Sequence, residues 1–414
     1  MSIKIRDLYK ILADNTFEAI STVQPEALVK PITAIGKPEP DLFALAVEAK
    51  GTDYTISKTI EIDRDFIFPA GNYHIKPDCG IRAKNCRITI LPGTNFYFDD
   101  FSYICLTGGK FIAAGNPSKK ITFMQKEERF NGHVLLNNLE AKLECCDIKG
   151  FEAMHQHKGL TVSYFIIENS NSQINHCSIS KNKTGRKGFS IMGGRAEFEN
   201  CAFEENYGMD LCLGGGLFIE TANVIFRNTK IRDNHVKHGD GGGVCAKKES
   251  KLLFENCDIS YNTADCGGGI SLAETNNSAT FRSTLIKNNL GGLGGALMVM
   301  YGSKAELDDA CVIEGNNREQ VYYGREARTQ ENGEVKCDPK IIKESNEPGS
   351  DNLRAIMTRI PPEYGEVSEK QIKLVVRNLK EKYKLNDMAA NTIAFELKNR
   401  PYKESVPFAG NYSY

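Results

Sequence analysis

The stretch Phe198-Glu-Asn-Cys201-Ala-Phe203-Glu-Glu-Asn206 returns three times downstream with its spacing intact. The later copies are Phe226-Arg-Asn-Thr229-Lys-Ile231-Arg-Asp-Asn234, Phe254-Glu-Asn-Cys257-Asp-Ile259-Ser-Tyr-Asn262 and Phe281-Arg-Ser-Thr284-Leu-Ile286-Lys-Asn-Asn289. Backwards the frame runs through Ile174, Cys177, Ile179 and Asn182, then Leu143, Cys146, Ile148 and Phe151, where the Asn is lost. Forwards it weakens to Leu307, Ala310 and Val312. Successive anchors are 31, 24, 28, 28, 27 and 26 residues apart. A period of this size is the mark of a solenoid.

Each column has a physical reading. The third and fifth residues after the anchor share parity, so both point to one face of an extended segment. The third is always small and the fifth mostly large, so every coil fills its slice of the core with a similar volume. Asn at a repeated turn can bond backbone and tolerate a left-handed conformation. Stacked in register, as Asn182, Asn206, Asn234, Asn262 and Asn289 are expected to be, such amides form a ladder. After each Asn a variable stretch leads to glycines at 214–216, 241–243, 267–269 and 294–295. Those mark a corner with no room for a side chain or with positive φ. A leucine-rich repeat shares part of the spacing, but it wants Leu where this chain has Cys or Thr, and a helix where this chain has glycines. The expected fold is an all-β solenoid, a right-handed parallel β-helix.

Bulk properties narrow the function classes. The 414 residues carry 52 basic and 53 acidic side chains, which disfavours a nucleic-acid binder. No apolar run is long enough for a membrane span. Residues 1–13 lack the apolar core of a secretory signal. With thirteen cysteines, this points to reduced thiols and an intracellular protein, or one carried within a particle.

The flanks differ in pattern. Ile5, Leu8 and Leu12 share a helical face, and 41–50 reads as a second helix, giving an N-terminal cap or arm over 1–55. The β-helix is assigned to 56–325 and a polar, Pro-containing linker to 326–365. A C-terminal segment over 366–414 opens on the capping box Ser368-x-x-Gln371, continues with Ile372, Val375, Leu379 and Tyr383, and holds a second helix near 387–397.

The coils resemble a known family. Phe203-Glu-Glu-Asn206 and Gly294-Gly-Ala-Leu297 are similar to the repeats of chlamydial polymorphic outer-membrane proteins. Ile88-Thr-Ile-Leu-Pro-Gly93, the run Gly108 to Pro117 and Ile121-Thr-Phe123 resemble the first coils of pectate-lyase-like β-helix proteins. The resemblance implies the architecture. Adhesins, lyases, epimerases and tailspikes share it, so it does not choose an activity. An outer-membrane barrel is not expected, because no C-terminal run of amphipathic strands is present.

Sugar cleavage by such folds needs paired carboxylates. The resemblance to polygalacturonase-type enzymes implies the motifs N-T-D, D-D and G-H-G. Here Asn228-Thr-Lys230 has lost its carboxylate, Asp99-Asp100 and Asp308-Asp309 lie in the wrong order, and G-H-G is absent. The best remaining candidates are Asp210, His235, His238, Asp240 and Asp265, read as loop residues at one corner of adjacent coils. Their offsets from the anchors differ, so a shared groove is not implied. His235 and His238 also carry a weaker zinc reading. No cofactor or resident metal is expected. Outward charges at Glu199, Arg227, Glu255 and Arg282, with Lys230 beside Asp258, predict a salt-bridge ladder. The expected function is a non-catalytic scaffold or binding module that presents a flat face to a protein partner or assembly. The alternative is a carbohydrate-active or glycan-binding protein.

Overall fold

The computed structural model describes residues 47–50, 52–126, 131–153, 163–316, 320–323 and 334–342. These form a stack of β-coils. One face is a 12-stranded sheet running from Val47–Lys50 to Val312–Glu314. Its first pair is antiparallel, and the pairs that follow are parallel.

One coil shows how the sequence bends. Asn223–Arg227 carries the anchor, Lys230–Arg232 the next face, His235–Asp240 the third and Val244–Lys247 the fourth. Left-handed residues turn the chain at the corners: Asn228 (φ 49), Asp233 (φ 54), Gly241 (φ 70) and the pair Lys248 and Glu249 (φ 52 and 61). The left-handed residue at the second of these corners precedes the ladder Asn, as Glu205, Asp233, Tyr261 and Asn288 all show. The Asn is therefore freed for another job.

That job is cross-coil bonding. Asn262 Oδ1 accepts from the backbone N–H of Asn234 (3.1 Å) and from its Nδ2 (2.9 Å). Asn262 Nδ2 donates to Ile231 O (2.8 Å) and to Asn289 Oδ1 (3.0 Å). The same pattern joins Asn182, Asn206, Asn234, Asn262 and Asn289, all buried. The ladder goes one coil further than the sequence frame, to Asn316, which Asn289 Nδ2 reaches at 3.0 Å. In that last coil the register partners are Ile286 and Ile313, so the inward residues are Cys311 and Ile313, not Ala310 and Val312. One extra residue is absorbed in the turn after Leu307, where Asp308 accepts the Ser283 and Ala310 N–H groups.

The glycine corner packs on the ladder. A Cβ at Gly243 would lie 2.6 Å from Gly269 O and 3.2 Å from Asn262 Cγ. The two sequence columns are thus opposite sides of one contact. The small third column is also polar for a reason. Cys201 Sγ donates to Ile174 O (3.2 Å), and Thr229 Oγ1 to Arg227 O (2.9 Å), so each helps satisfy backbone carbonyls at the first corner. None of the thirteen cysteines is in a disulfide. Anchor rings stack coil on coil, with centroids 5.3, 4.7 and 4.9 Å apart from Phe198 to Phe281.

The ends differ from the sequence reading. Val47–Lys50 is not helical; it pairs antiparallel with Asp53–Ile56 and covers an edge that would otherwise be unpaired. Parallel pairing already joins Asp53–Ile56 to Asn72–Ile75. Glu334–Lys336, within the span read as linker, pairs with Lys304–Glu306, and a 3-10 turn at Pro339–Ile341 buries Ile341. The expected helices over 1–46 and 366–414 lie outside the described residues.

Candidate functional site

The segment between the Asn ladder and the glycines is strand, not loop. Asp210 lies in Tyr207–Glu220, His235, His238 and Asp240 in His235–Asp240, and Asp265 in Thr263–Cys266. Ladder bonding continues through it because each coil supplies the next with a backbone template. Bulges absorb the unequal lengths: the register shifts between Asp210 and Cys212, where Leu211 is left-handed (φ 59).

The structure brings some of the candidates together. Asp210 and His238 are register partners on neighbouring coils. His238 Nδ1 lies 3.3 Å from Asp265 Oδ2. Burial pushes the Asp240 carboxyl above the usual range, Asp265 and Glu274 push the same way, and Lys247 with the Cys266 thiol oppose them. Asp240 and Asp265 are therefore within electrostatic reach, while Asp265 is engaged by His238. His235 does something else: its ring stacks on Tyr207 with centroids 5.3 Å apart. The two D-D pairs serve the fold. Asp99 is buried beside Lys126, and Asp308 binds backbone. Lys230, at the lost carboxylate, is exposed on the opposite sheet in register with Asp258, without an ion pair.

The salt-bridge ladder is built from partly different residues. Arg227 Nε bonds Glu255 Oε2 at 2.9 Å, and Arg282 Nη1 bonds Glu255 Oε1 at 3.0 Å. Arg227 reaches diagonally to Glu197 (3.6 Å) on the coil before, and not to its register partner Glu199.

Sequence reasoning missed a second feature of this side. Phe218, Cys245, Ser271 and Met298 stand in register and point away from the main core, yet all are buried. Leu213, Cys266 and Met300 pack against them. Charged residues flank this floor. Lys187 Nζ sits 4.2 Å over the Phe218 ring and 3.3 Å from Glu220, and Lys247 Nζ is 2.8 Å from Glu274. Burial opposes ionisation of Glu220, but Lys248 and Lys187 hold it below the usual carboxylate range. The signal was present in the sequence. Leu217-Phe-Ile219 and Val244-Cys-Ala246 are unbroken apolar runs where a half-exposed strand alternates. An unbroken run means that both faces are covered.

The coil stack, its register and its parallel sheets meet one family description. A family model described as a right handed beta helix region matches residues 163–332. The described coils form a right-handed parallel β-helix. No curated protein and no solved structure matches it. Among the described residues, no helix is long and apolar enough to cross a membrane.

Proposed function

We propose that this β-helix is a non-catalytic binding module whose ridge, beside the buried floor, docks a protein partner. The observation that carries this reading is the ridge itself. Leu213, Asp240, Cys266 and Leu293 stand in register along successive coils, and Leu293 at one end and Leu211, beside Leu213 three coils away, are 38% and 52% exposed. Exposed large apolar side chains beside half-buried charge have the composition of a recognition surface. Free cysteines support action in a reducing compartment. Leu211→Glu with Leu293→Glu leaves the core untouched. The double variant is expected to lose the partners that the wild-type chain captures from its own source. Equal capture by both chains would reject the ridge.

A second reading rests on Asp240. A carboxyl whose hold on its proton is raised by burial, within reach of the His238-paired Asp265, is a feature that acid–base cleavage of a glycosidic bond uses. We expect no cleavage of uronate polymers or neutral glycans, with or without Ca²⁺. Degradation of any such polymer that disappears in a folded Asp240→Asn variant would put this reading first.

A further inference from the structure

We propose that Glu144, Cys145 and His176 form a binding site for a zinc-type divalent cation. One ligand atom from each, the carboxylate oxygen, the thiol sulfur and a ring nitrogen, all lie within 4.8 Å of one another. His176 Nδ1 is 2.9 Å from Glu144 Oε1, and Cys145 Sγ is 3.9 Å from the same oxygen. Tetrahedral Zn²⁺ holds such atoms at about 2.0–2.3 Å, which places them roughly 3.3–3.8 Å from each other. Shifts of a few tenths of an ångström to about one ångström reach that arrangement.

The fold positions the three groups. Residues 145 and 176 occupy the first corner of adjacent coils, and Cys145 N–H bonds Asn175 O at 3.0 Å. Both are left-handed, with φ 49 and 52. The next three coils put Asn200, Asn228 and Asn256 at this corner, the residue type that accepts such a conformation most readily. A Cys gains nothing there from backbone preference, so its column offers no structural reason for it. Unlike Cys146 and Cys177, which belong to the main core, Cys145 is buried outside it, beside the exposed His176. Asn175 Nδ2 donates to Glu144 Oε2 at 3.3 Å, which turns Oε1 toward the sulfur and the imidazole. An outer group that orients a ligand is a usual part of a metal site. Lys120, the nearest cation, is engaged by Asp147 at 2.9 Å. Thiolate, imidazole and carboxylate suit Zn²⁺ rather than Mg²⁺ or Ca²⁺, and the exposed side leaves a fourth position for water. On binding, the Cys145 thiol releases its proton to solvent.

The test uses the full chain, stripped with chelator and titrated with Zn²⁺ and, as a spectroscopic probe, Co²⁺. One equivalent per chain is expected, with a thiolate-to-cobalt charge-transfer band. Cys145→Ser should abolish the band, His176→Ala should weaken binding at least tenfold, and Cys266→Ser should change neither. Absence of bound metal, or binding that persists in a folded Cys145→Ser/His176→Ala chain, overturns the proposal and leaves an ordinary surface ion pair. If the serine variant does not fold, alkylation of Cys145 in the wild-type chain decides. Protection by Zn²⁺ supports the site, and unchanged labelling overturns it.

Discussion

One inward column runs the length of the solenoid, and its two halves are built from different chemistry. Tyr54, Tyr73, Phe96 and Phe123 stack in register in the early coils, with centroids 4.5, 5.1 and 5.5 Å apart. From Ile148 onward the column is aliphatic apart from Phe203, and the buried Asn ladder begins one coil later at Asn182. Rings fill volume and tolerate sliding. Amides bond at fixed positions and do not. The early coils rest on this ring stack, whereas the later ones, whose rings stack in the anchor column from Phe198 to Phe281, add a directional polar network that also fixes the glycine corner. Buried polar groups are stabilising only when fully bonded, so the later half stakes more on each residue.

The largest expected effect follows from that contrast. Asn262→Leu strands the Asn234 N–H and removes one bond each from Asn234 Nδ2, Ile231 O and Asn289 Oδ1, although Nδ2 keeps Phe203 O and Oδ1 keeps the N–H of residue 262. At about 1–3 kcal/mol for the orphaned N–H and about 0.5–1.5 kcal/mol for each of the three lost bonds, the loss should be at least about 2.5 kcal/mol. Thermal unfolding checks it, and an unchanged midpoint would remove the ladder from the account. Phe96→Leu, in the ring-stacked half, keeps an apolar side chain and should cost only about 1–2 kcal/mol. A loss equal to that of Asn262→Leu would erase the distinction between the halves.

Much of this was legible in the sequence, and the parts that were not have physical causes. The Asn, Cys/Thr and Phe columns could be read because each satisfies a need that recurs identically in every coil. The shift to Cys311 and Asn316 could not, because one residue inserted after Leu307 changes spacing without changing composition. The sequence reads Asp210, Asp240 and Asp265 as loop residues at one corner, but they lie in strands, and unequal spacing hid the bulges that keep them there. The pairing of His238 with Asp265 depends on that bulged register. Val47–Lys50 was misread because a short apolar and charged run suits either helix or strand, and the tertiary need to cover an edge decided it.

A smaller effect separates the ridge from the ladder through pH. Asp240 binds its proton more tightly in the folded chain than at the ordinary value of 3.8, because burial penalises its charge. The stability tied to that proton is complete below the unfolded value and is lost as pH rises through the raised folded value. Asp240→Asn should therefore be more stable than wild type at neutral pH, and the difference should fade as pH falls toward 3.8. Denaturant midpoints across that range measure it, and a constant difference would show that the carboxyl is not desolvated. The smallest effect belongs to the outer charge ladder. Arg227→Ala breaks the exposed pairs with Glu255 and Glu197 and should cost less than about 1 kcal/mol, vanishing in high salt.

Site-resolved hydrogen exchange of the native chain tests the central claim most directly. The backbone N–H groups of Asn182, Asn206, Asn234, Asn262 and Asn289 each donate to the next asparagine's Oδ1 at 2.9–3.2 Å. The account predicts that all five exchange as slowly as the innermost strand amides. In Asn262→Leu, Asn234 should be the one that first becomes fast. Rapid exchange at these five positions in the wild-type chain, or an Asn262→Leu chain in which Asn234 stays protected, would contradict it.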